Sequence, residues 1–333
     1  MSRLYDARGN RYVVTTPDAL RRLGIAIAQE AAEAAQAREN WSAAAIEALC
    51  GWPEGERPEG AKGHRSDGLL VGPFGSASPW DLLIVNTDGS LTERSGNGMT
   101  LFAQALLDNG HVAPGQAFVL HVHHDKPGGG SPVVTPIEPA VRDGQPGFWL
   151  QMGAPGFGPE AVGADSEHLA PADFHGRPLS RVDALAQLDP GWCRSQFVRI
   201  GNPHCVTLLE APAALPAMPW LRAADAHAAL ERIAYAAPIG AGDPCPAGVN
   251  LQWAARAADG AIEARVFERG EGATESSGSS ACAVACAAWK AGLVAAGEVR
   301  VRMPGGTAPL RLEQQGDALV GVWLFGVGTR LEG

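Results

Sequence analysis

Charge is scarce in this sequence: Asp, Glu, Lys and Arg make up 19% of its residues. The balance is acidic, 26 Lys plus Arg against 36 Asp plus Glu for a net of −10. A surface of that sign repels phosphate backbones, which argues against a nucleic-acid partner. No apolar run approaches the roughly 18 residues needed to cross a bilayer, so no membrane role is expected. The opening residues, Met1-Ser2-Arg3-Leu4-Tyr5-Asp6-Ala7-Arg8, lack the apolar stretch that leads a secreted chain. Six cysteines in 333 residues (Cys50, Cys193, Cys205, Cys245, Cys282 and Cys286) do not make a disulfide framework and read as reduced thiols of a cytoplasmic protein.

What the chain has in quantity is glycine and proline, 42 and 25 residues, which implies many tight turns joining short elements. A hydrophobic fraction of 46% is enough for a sizeable core, and the length suggests two domains. Arg11–Thr15 reads as a first strand, followed from Pro17 by an Ala-rich helical segment to about Leu49 and a Pro/Gly-rich loop from Gly51 to Ser66. Strands are expected at Leu69–Val71, Leu82–Val85 and Phe118–Val122. Between the last two, Met99, Phe102, Ala103, Leu106 and Leu107 mark one face of a helix from Ser95 to Gly110. Lys126–Ser131 reads as a turn or linker, with the domain boundary placed at 135/136. The second half has strands at Phe148–Met152, Phe197–Ile200 and Val206–Leu209, and a hairpin from Val249–Ala254 and Ile262–Phe267. A small-residue helix follows at about Ser280–Ala291, then strands at Val299–Met303, Leu310–Gln314 and Ala318–Leu324. The expected second domain spans 136–314, with residues from about 315 to 333 returning to the first.

The most informative feature is an internal repeat. Thr92-Glu93-Arg94-Ser95-Gly96-Asn97-Gly98 aligns with Thr274-Glu275-Ser276-Ser277-Gly278-Ser279-Ser280. In each copy a helix follows and stops at a glycine fifteen residues after the central serine (Gly110, Gly292). In each copy a polar residue closing a strand stands nine residues before that serine (Asn86, Glu268). Ser95 and Ser277 would then sit at helix N-termini, where unpaired backbone N–H groups favour an anion such as a carboxylate. Two related halves facing each other across a cleft would offer one reactive side chain to each face of a bound carbon. The structural alternative is that Ser-Gly caps two buried helices and does nothing else.

These residues resemble the diaminopimelate epimerase family. The matching stretches, in the family's order, begin with Gly9-Asn10-Arg11-Tyr12-Val13-Val14, Asp67-Gly68-Leu69-Leu70, Asn86-Thr87-Asp88-Gly89-Ser90 and Ser95-Gly96-Asn97-Gly98. They end with Gly201-Asn202-Pro203-His204-Cys205-Val206, Gly248-Val249-Asn250, Glu268-Arg269-Gly270 and Ser277-Gly278-Ser279. The resemblance implies an α/β fold of two pseudo-symmetric domains, each a curled, mostly antiparallel sheet around a central helix, with a ligand cleft between them. It implies cofactor-independent inversion at an amino-acid α-carbon, a small amino acid or similar carboxylate as partner, and a place in lysine biosynthesis. A homodimer is left open. Positions matching the family's substrate contacts are Asn10, Asn86, Asn202, Asn250, Glu268 and Arg269; those matching its anion cradle are Gly96, Asn97, Gly278 and Ser279.

The departure lies at the centre, because Ser95 and Ser277 stand where the family has its two cysteines. If a hydroxyl titrates roughly five units above a thiol, forming the base costs ~7 kcal/mol more, or ~10⁵ in rate. A helix N-terminus returns only about 0.3–2 kcal/mol of that. Three readings follow. The chain is an isomerase working with another base, for which His204 and Glu268 are the candidates and the serines are donors or relays. Alternatively it is a non-catalytic amino-acid binder, or a diaminopimelate epimerase inactivated by exchange of Cys for Ser.

Other features point to packing. His121 and His123 share a strand face, but no motif supplies a third ligand, so the expectation is an exposed strand end and no metal. Cys282 and Cys286, one helical turn apart, read as small buried hydrophobes, as does Cys205. Gly153–Gly163 lacks the strand–loop–helix context of a phosphate loop, and no cofactor is expected. The Ala-rich segment with its Pro-rich tail, about 30–66, is a cover for the cleft, a subunit contact or a surface excursion.

Overall fold

The computed structural model describes residues 2–126 and 130–331. The chain divides into two units, one running to Gln151 and taking back the residues from Phe325 onward, the other spanning Met152–Leu324. The division therefore falls later than the expected 135/136. The reason is that three strands, β5 (Phe118–His123), β6 (Val133–Arg142) and β7 (Gln145–Gly153), form one antiparallel meander that a boundary at 135 would cut. The C-terminal return begins at Phe325 rather than 315, since residues 306–315 pair within the second unit. Part of the expected Lys126–Ser131 turn lies outside the described residues.

In the first unit β1 (Arg3–Ala7) and β2 (Asn10–Thr15) form a hairpin. It is closed by Arg8 and Gly9, both in the left-handed region at φ 56° and 84°. β2 runs parallel to β3 (Gly68–Val71), which is antiparallel to β4 (Trp80–Asn86), which is parallel to β5. The chain's last strand, Thr329–Arg330, pairs with β1. Val133–Arg142 carries no clear strand signal because Pro136 and Pro139 interrupt it, yet it is a full strand between β5 and β7.

The Ala-rich segment is not one helix. It breaks into α1 (Pro17–Arg22), α2 (Ala31–Gln36) and α3 (Ser42–Cys50), with Gly24 in the left-handed region after the first. Leu20, Ala34, Ala35, Trp41, Ala45 and Ile46 pack on Val13, Leu69, Val71, Leu83 and Val85. Side chains alternate faces along a strand, so these helices cover one face of the sheet while Leu70 and its even-numbered neighbours face the other way. On that other face lies α4 (Gly96–Asp108), with Gly98 against Leu70 and Thr100 against Gly326.

The second unit repeats this order. β8 (Gly156–Phe157), α5 (Pro159–Val162), the hairpin β9 (Leu169–Phe174) and β10 (Arg177–Val182), and α6 (Asp183–Leu188) come first. Then β11 (Ser195–Ile200) and β12 (Asn202–Leu209) form a hairpin around Gly201, and β12 runs parallel to β13 (Asn250–Arg256). β13 is antiparallel to β14 (Ile262–Glu268), which is flanked by the short β15 (Gly272–Thr274) and by β16 (Gly297–Met303) in parallel. β17 (Gly306–Gln315) and β18 (Ala318–Gly326) complete the meander. The succession of hairpin, parallel, antiparallel, parallel and antiparallel pairings is the same in both units, so the short repeat read in the sequence extends through the topology.

Between β12 and β13 the second unit also carries helices, α7 (Met218–Arg222) and α8 (Ala224–Ala234). Leu221, Leu230, Ile233 and Ala234 pack on Phe197, Cys205, Leu251, Trp253 and Phe267. The opposite face holds α9 (Gly278–Lys290), which packs against β11, β12, β13, β14, β16 and β17. Every residue from Ser280 to Ala288 is buried. A helix enclosed on nearly all sides by sheet has no exposed face for long side chains, which is why its buried stretch from Ser280 to Ala288 is built from Ser, Ala, Cys and a single Val. Among the described residues no helix is long and apolar enough to cross a membrane.

Two outcomes follow from this packing. Ala285→Leu adds three carbons where no space exists and should destabilise the protein by about 1–3 kcal/mol in denaturant unfolding. Cys50, Cys205, Cys245, Cys282 and Cys286 are buried and Cys193 is partly exposed, so brief treatment of the native protein with iodoacetamide should modify Cys193 alone, as read by peptide mass spectrometry.

Candidate active site

Each repeated serine is the N-cap of a buried helix. Ser95 has extended backbone and its Oγ accepts from Gly98 N at 3.0 Å. Ser277 does the same at the head of α9, accepting from Ser280 N at 3.3 Å. In both cases the cap uses one of the leading N–H groups, and the amides of the first turn, including Gly96 and Asn97 or Gly278 and Ser279, have no intrahelical acceptor.

The two half-sites differ in what lies beside the serine. In the second unit Ser277 Oγ donates to Glu268 Oε1 at 2.7 Å, and Thr274 Oγ1 donates to Glu268 Oε2 at 2.8 Å. Both carboxylate oxygens are thus held by hydroxyls, at the point where β14 ends. Burial raises the Glu268 pKa, the nearby Glu271 adds to the rise, and the two hydroxyls offset part of it. In the first unit the corresponding strand end is the neutral Asn86. Thr92 Oγ1 donates to Asn86 Oδ1 at 3.0 Å and Asn86 Nδ2 donates to Ser90 Oγ at 2.9 Å. The repeat therefore includes a Thr-to-acceptor hydrogen bond, three and nine residues before each serine. Only the second unit puts a carboxylate there.

The layer beneath the helix tips differs in the same sense. Gly98 meets the apolar Leu70. At the matching place in the second unit Gln252 Nε2 donates to Ser280 Oγ at 3.1 Å and to His204 Nδ1 at 3.0 Å. His204 is completely buried on β12, and burial, helped by the positive charge of Arg269, lowers its pKa to about 3. Its Nε2 has no hydrogen-bond partner among the described residues. With its ring completely buried and held by Gln252, His204 lies in the layer under Ser280 rather than open at the helix tip, where a candidate base was expected.

Asn250 and Arg269 are joined. Asn250 Oδ1 accepts from Arg269 N at 2.8 Å, and Arg269 Nη1 donates to Ala247 O at 2.6 Å. Burial and the neighbouring Arg199 both lower the Arg269 pKa. Two guanidiniums close enough to repel each other make a natural seat for an anion. Asn202 opens β12 beside Gly201, and Asn10 opens β2 beside Gly9, the same place in the two hairpins. Thr92, Thr274, Gln252, Ser280 and Arg199 were not singled out by sequence reasoning. The threonines and Ser280 lie inside the aligned repeat, but nothing in their spacing distinguishes them from ordinary turn and helix residues.

Thiol chemistry has no substitute here. Cys282 is buried in α9, and burial drives the Cys286 thiol well above its ordinary range. The expectation of an exposed, two-histidine strand end is also corrected. His123 is buried, and Asp81 on the neighbouring strand supplies the third donor that no sequence motif indicated.

Comparison with known proteins agrees with this geometry. Residues 196–326 match the model of the family described as diaminopimelate epimerase. Diaminopimelate epimerase 2 of Nostoc sp. is 30% identical over 256 residues, covering 75% of each chain. Among solved structures, methylitaconate-delta-isomerase is similar with a TM-score of 0.61 and 14% identity, over 99% of this chain and 93% of that one. A hydroxyproline epimerase from Agrobacterium vitis, with bound trans-4-hydroxy-L-proline, gives a TM-score of 0.57 and 16% identity over 99% and 90%. At those identities the two structures speak for the fold. The alternation of strands around a serine-capped helix in each unit and the match to the Nostoc sequence lead to one conclusion: this chain belongs to the diaminopimelate epimerase family of isomerases.

Proposed function

We propose that this protein is a cofactor-independent isomerase that removes and returns a proton beside the carboxylate of an amino acid or similar small acid, with Glu268 as the base acting through Ser277. The observation that carries this reading is the 2.7 Å hydrogen bond from Ser277 Oγ to Glu268 Oε1. A free serine alkoxide is ~7 kcal/mol harder to form than a thiolate. It need not form if the substrate proton moves to Ser277 Oγ while the serine's own proton moves to Glu268. The carbon–hydrogen bond breaks, the serine stays neutral, and the carboxylate ends protonated. Ser95, the repeat counterpart with neutral Asn86 nine residues before it, is assigned the return of a proton to the carbanion. Ser95 takes a proton from water as it gives up its own, so no alkoxide forms there either, and the hydroxide left behind takes the proton held by Glu268, which closes the balance. Arg269, with Arg199 beside it, is assigned the substrate carboxylate, and Asn10, Asn202 and Asn250 the remaining polar contacts. Diaminopimelate, which the Nostoc relative is named for, is the first substrate to try.

The test is incubation in D₂O with diaminopimelate and pooled amino acids, reading deuterium at the α-carbon. Exchange is expected in the native protein, absent in Glu268→Gln, and raised when both Ser95→Cys and Ser277→Cys are made. Ligand-induced thermal stabilisation without exchange would overturn the catalytic reading in favour of a binder. Glu268 must be ionised to act, so kcat/KM should rise with pH through a midpoint above the usual carboxylate value of 4.5. A pH profile locates that midpoint. Arg269→Ala should weaken binding of the carboxylate ligand by about 30-fold or more, measured by calorimetry; unchanged affinity removes Arg269 from the ligand site.

A further inference from the structure

We propose that Asp81, His121 and His123 form a three-ligand site for one divalent transition-metal ion of the zinc class, on the sheet face of the first unit turned away from α4. The proposal is independent of the isomerase reading.

Asp81 lies on β4 directly opposite His121 on the parallel strand β5, and His123 follows two residues on, opposite Leu83. The period of two along a strand puts all three on one face, together with Leu83 and Val85, the face that α1–α3 cover. One donor atom from each residue can be chosen so that all lie within 4.8 Å of one another. His123 Nε2 is 2.7 Å from Asp81 Oδ1, and His121 Nδ1 is 3.8 Å from the same oxygen. Zinc bonds of ~2.0–2.2 Å in tetrahedral geometry set ligand atoms about 3.3 Å apart. The observed separations bracket that value, so small side-chain rotations suffice to admit an ion.

The neighbours leave the donors available. His123 is buried, and its Nδ1 has no hydrogen-bond partner among the described residues, so a cation would displace only the hydrogen bond from Nε2. His124, next in sequence, is occupied elsewhere: its Nδ1 accepts from Lys126 N and its Nε2 meets Gly130 O. Asp125 is held by Arg38 and does not compete. The buried side of α2, which packs against β4 and β5, consists of Ala31, Ala34 and Ala35. His121 and Asp81 are each about a quarter exposed, 27% and 29%, which gives the ion an entry path and leaves a fourth position for water.

Two imidazoles and one carboxylate suit zinc, with the fourth position open. Asp81 is five residues from Asn86 along β4, about 16 Å at a strand's rise, and points to the opposite face. The ion would therefore clamp β4 to β5 rather than take part in proton transfer at Ser95.

The experiment is to strip the full-length protein with chelator, add Zn²⁺ in slight excess, desalt, and measure zinc by mass spectrometry. One zinc per chain is expected, together with a higher melting temperature. Co²⁺ in its place should give the intense visible absorption of a tetrahedral site. His121→Ala, whose ring is at the surface and whose loss the fold should tolerate, is expected to weaken Zn²⁺ binding at least 100-fold and abolish the thermal shift. Asp81→Asn should act in the same direction. Less than stoichiometric zinc in the native protein, or zinc retained unchanged in both variants, would overturn the proposal.

Discussion

Burying a helix inside a sheet sets the terms for everything else in each unit. The backbone of α9 satisfies itself along its length, but its leading N–H groups cannot, and they must meet a polar partner somewhere. Ser277 provides one such partner and leaves the others turned outward, so the place where the helix is hardest to satisfy is also where an anion is best received. The same holds for Ser95 at the head of α4. A small hydroxyl at this position can accept and donate together, because the oxygen that accepts from the third amide still carries a proton to give. That proton goes to Glu268 in one unit.

The two units share a topology but differ in the residues at their helix tips. The pairings of strands, the capped helix and the threonine three residues before each serine recur in both units. Against that background Glu268 stands where Asn86 stands, Ser280 where Gly98 stands, and Gln252 where Leu70 stands. The last two changes add hydrogen-bonding groups to the second unit, and the first replaces an amide with a carboxyl group. The helix tip of the second unit therefore has a carboxyl group above a polar layer, and that of the first unit has an amide above an apolar one. The proposed division between a base and a proton donor rests on that difference in environment.

Much of this was legible in the residues. The Ser-Gly repeat, the glycine fifteen residues on and the polar strand end nine residues back located both helix tips, because each rests on local geometry. The burial of Cys282 and Cys286 followed from their small neighbours. What was not legible depends on contacts between distant segments. His204 looks the same on paper whether it faces a ligand or lies sealed under Gln252. Asp81 is one acid among many until a parallel strand pairing sets it opposite His121. Val133–Arg142 hid behind two prolines that interrupt its apolar pattern. The Ala-rich stretch read as one long helix because alanine favours helix everywhere, while Gly24 and the shape of the sheet it covers divide it into three.

The placement of that stretch has a consequence for how such a chain can vary. In both units the long connection between the first parallel pair of strands is laid over the back of the sheet, away from the serine-capped helix. Closing a longer loop is cheap, about 0.6 kcal/mol for each doubling of its length. Successive insertions there can thicken the protein, acquire new surface and be rebuilt from one lineage to the next, while the serine-capped helix on the other face inherits none of the change.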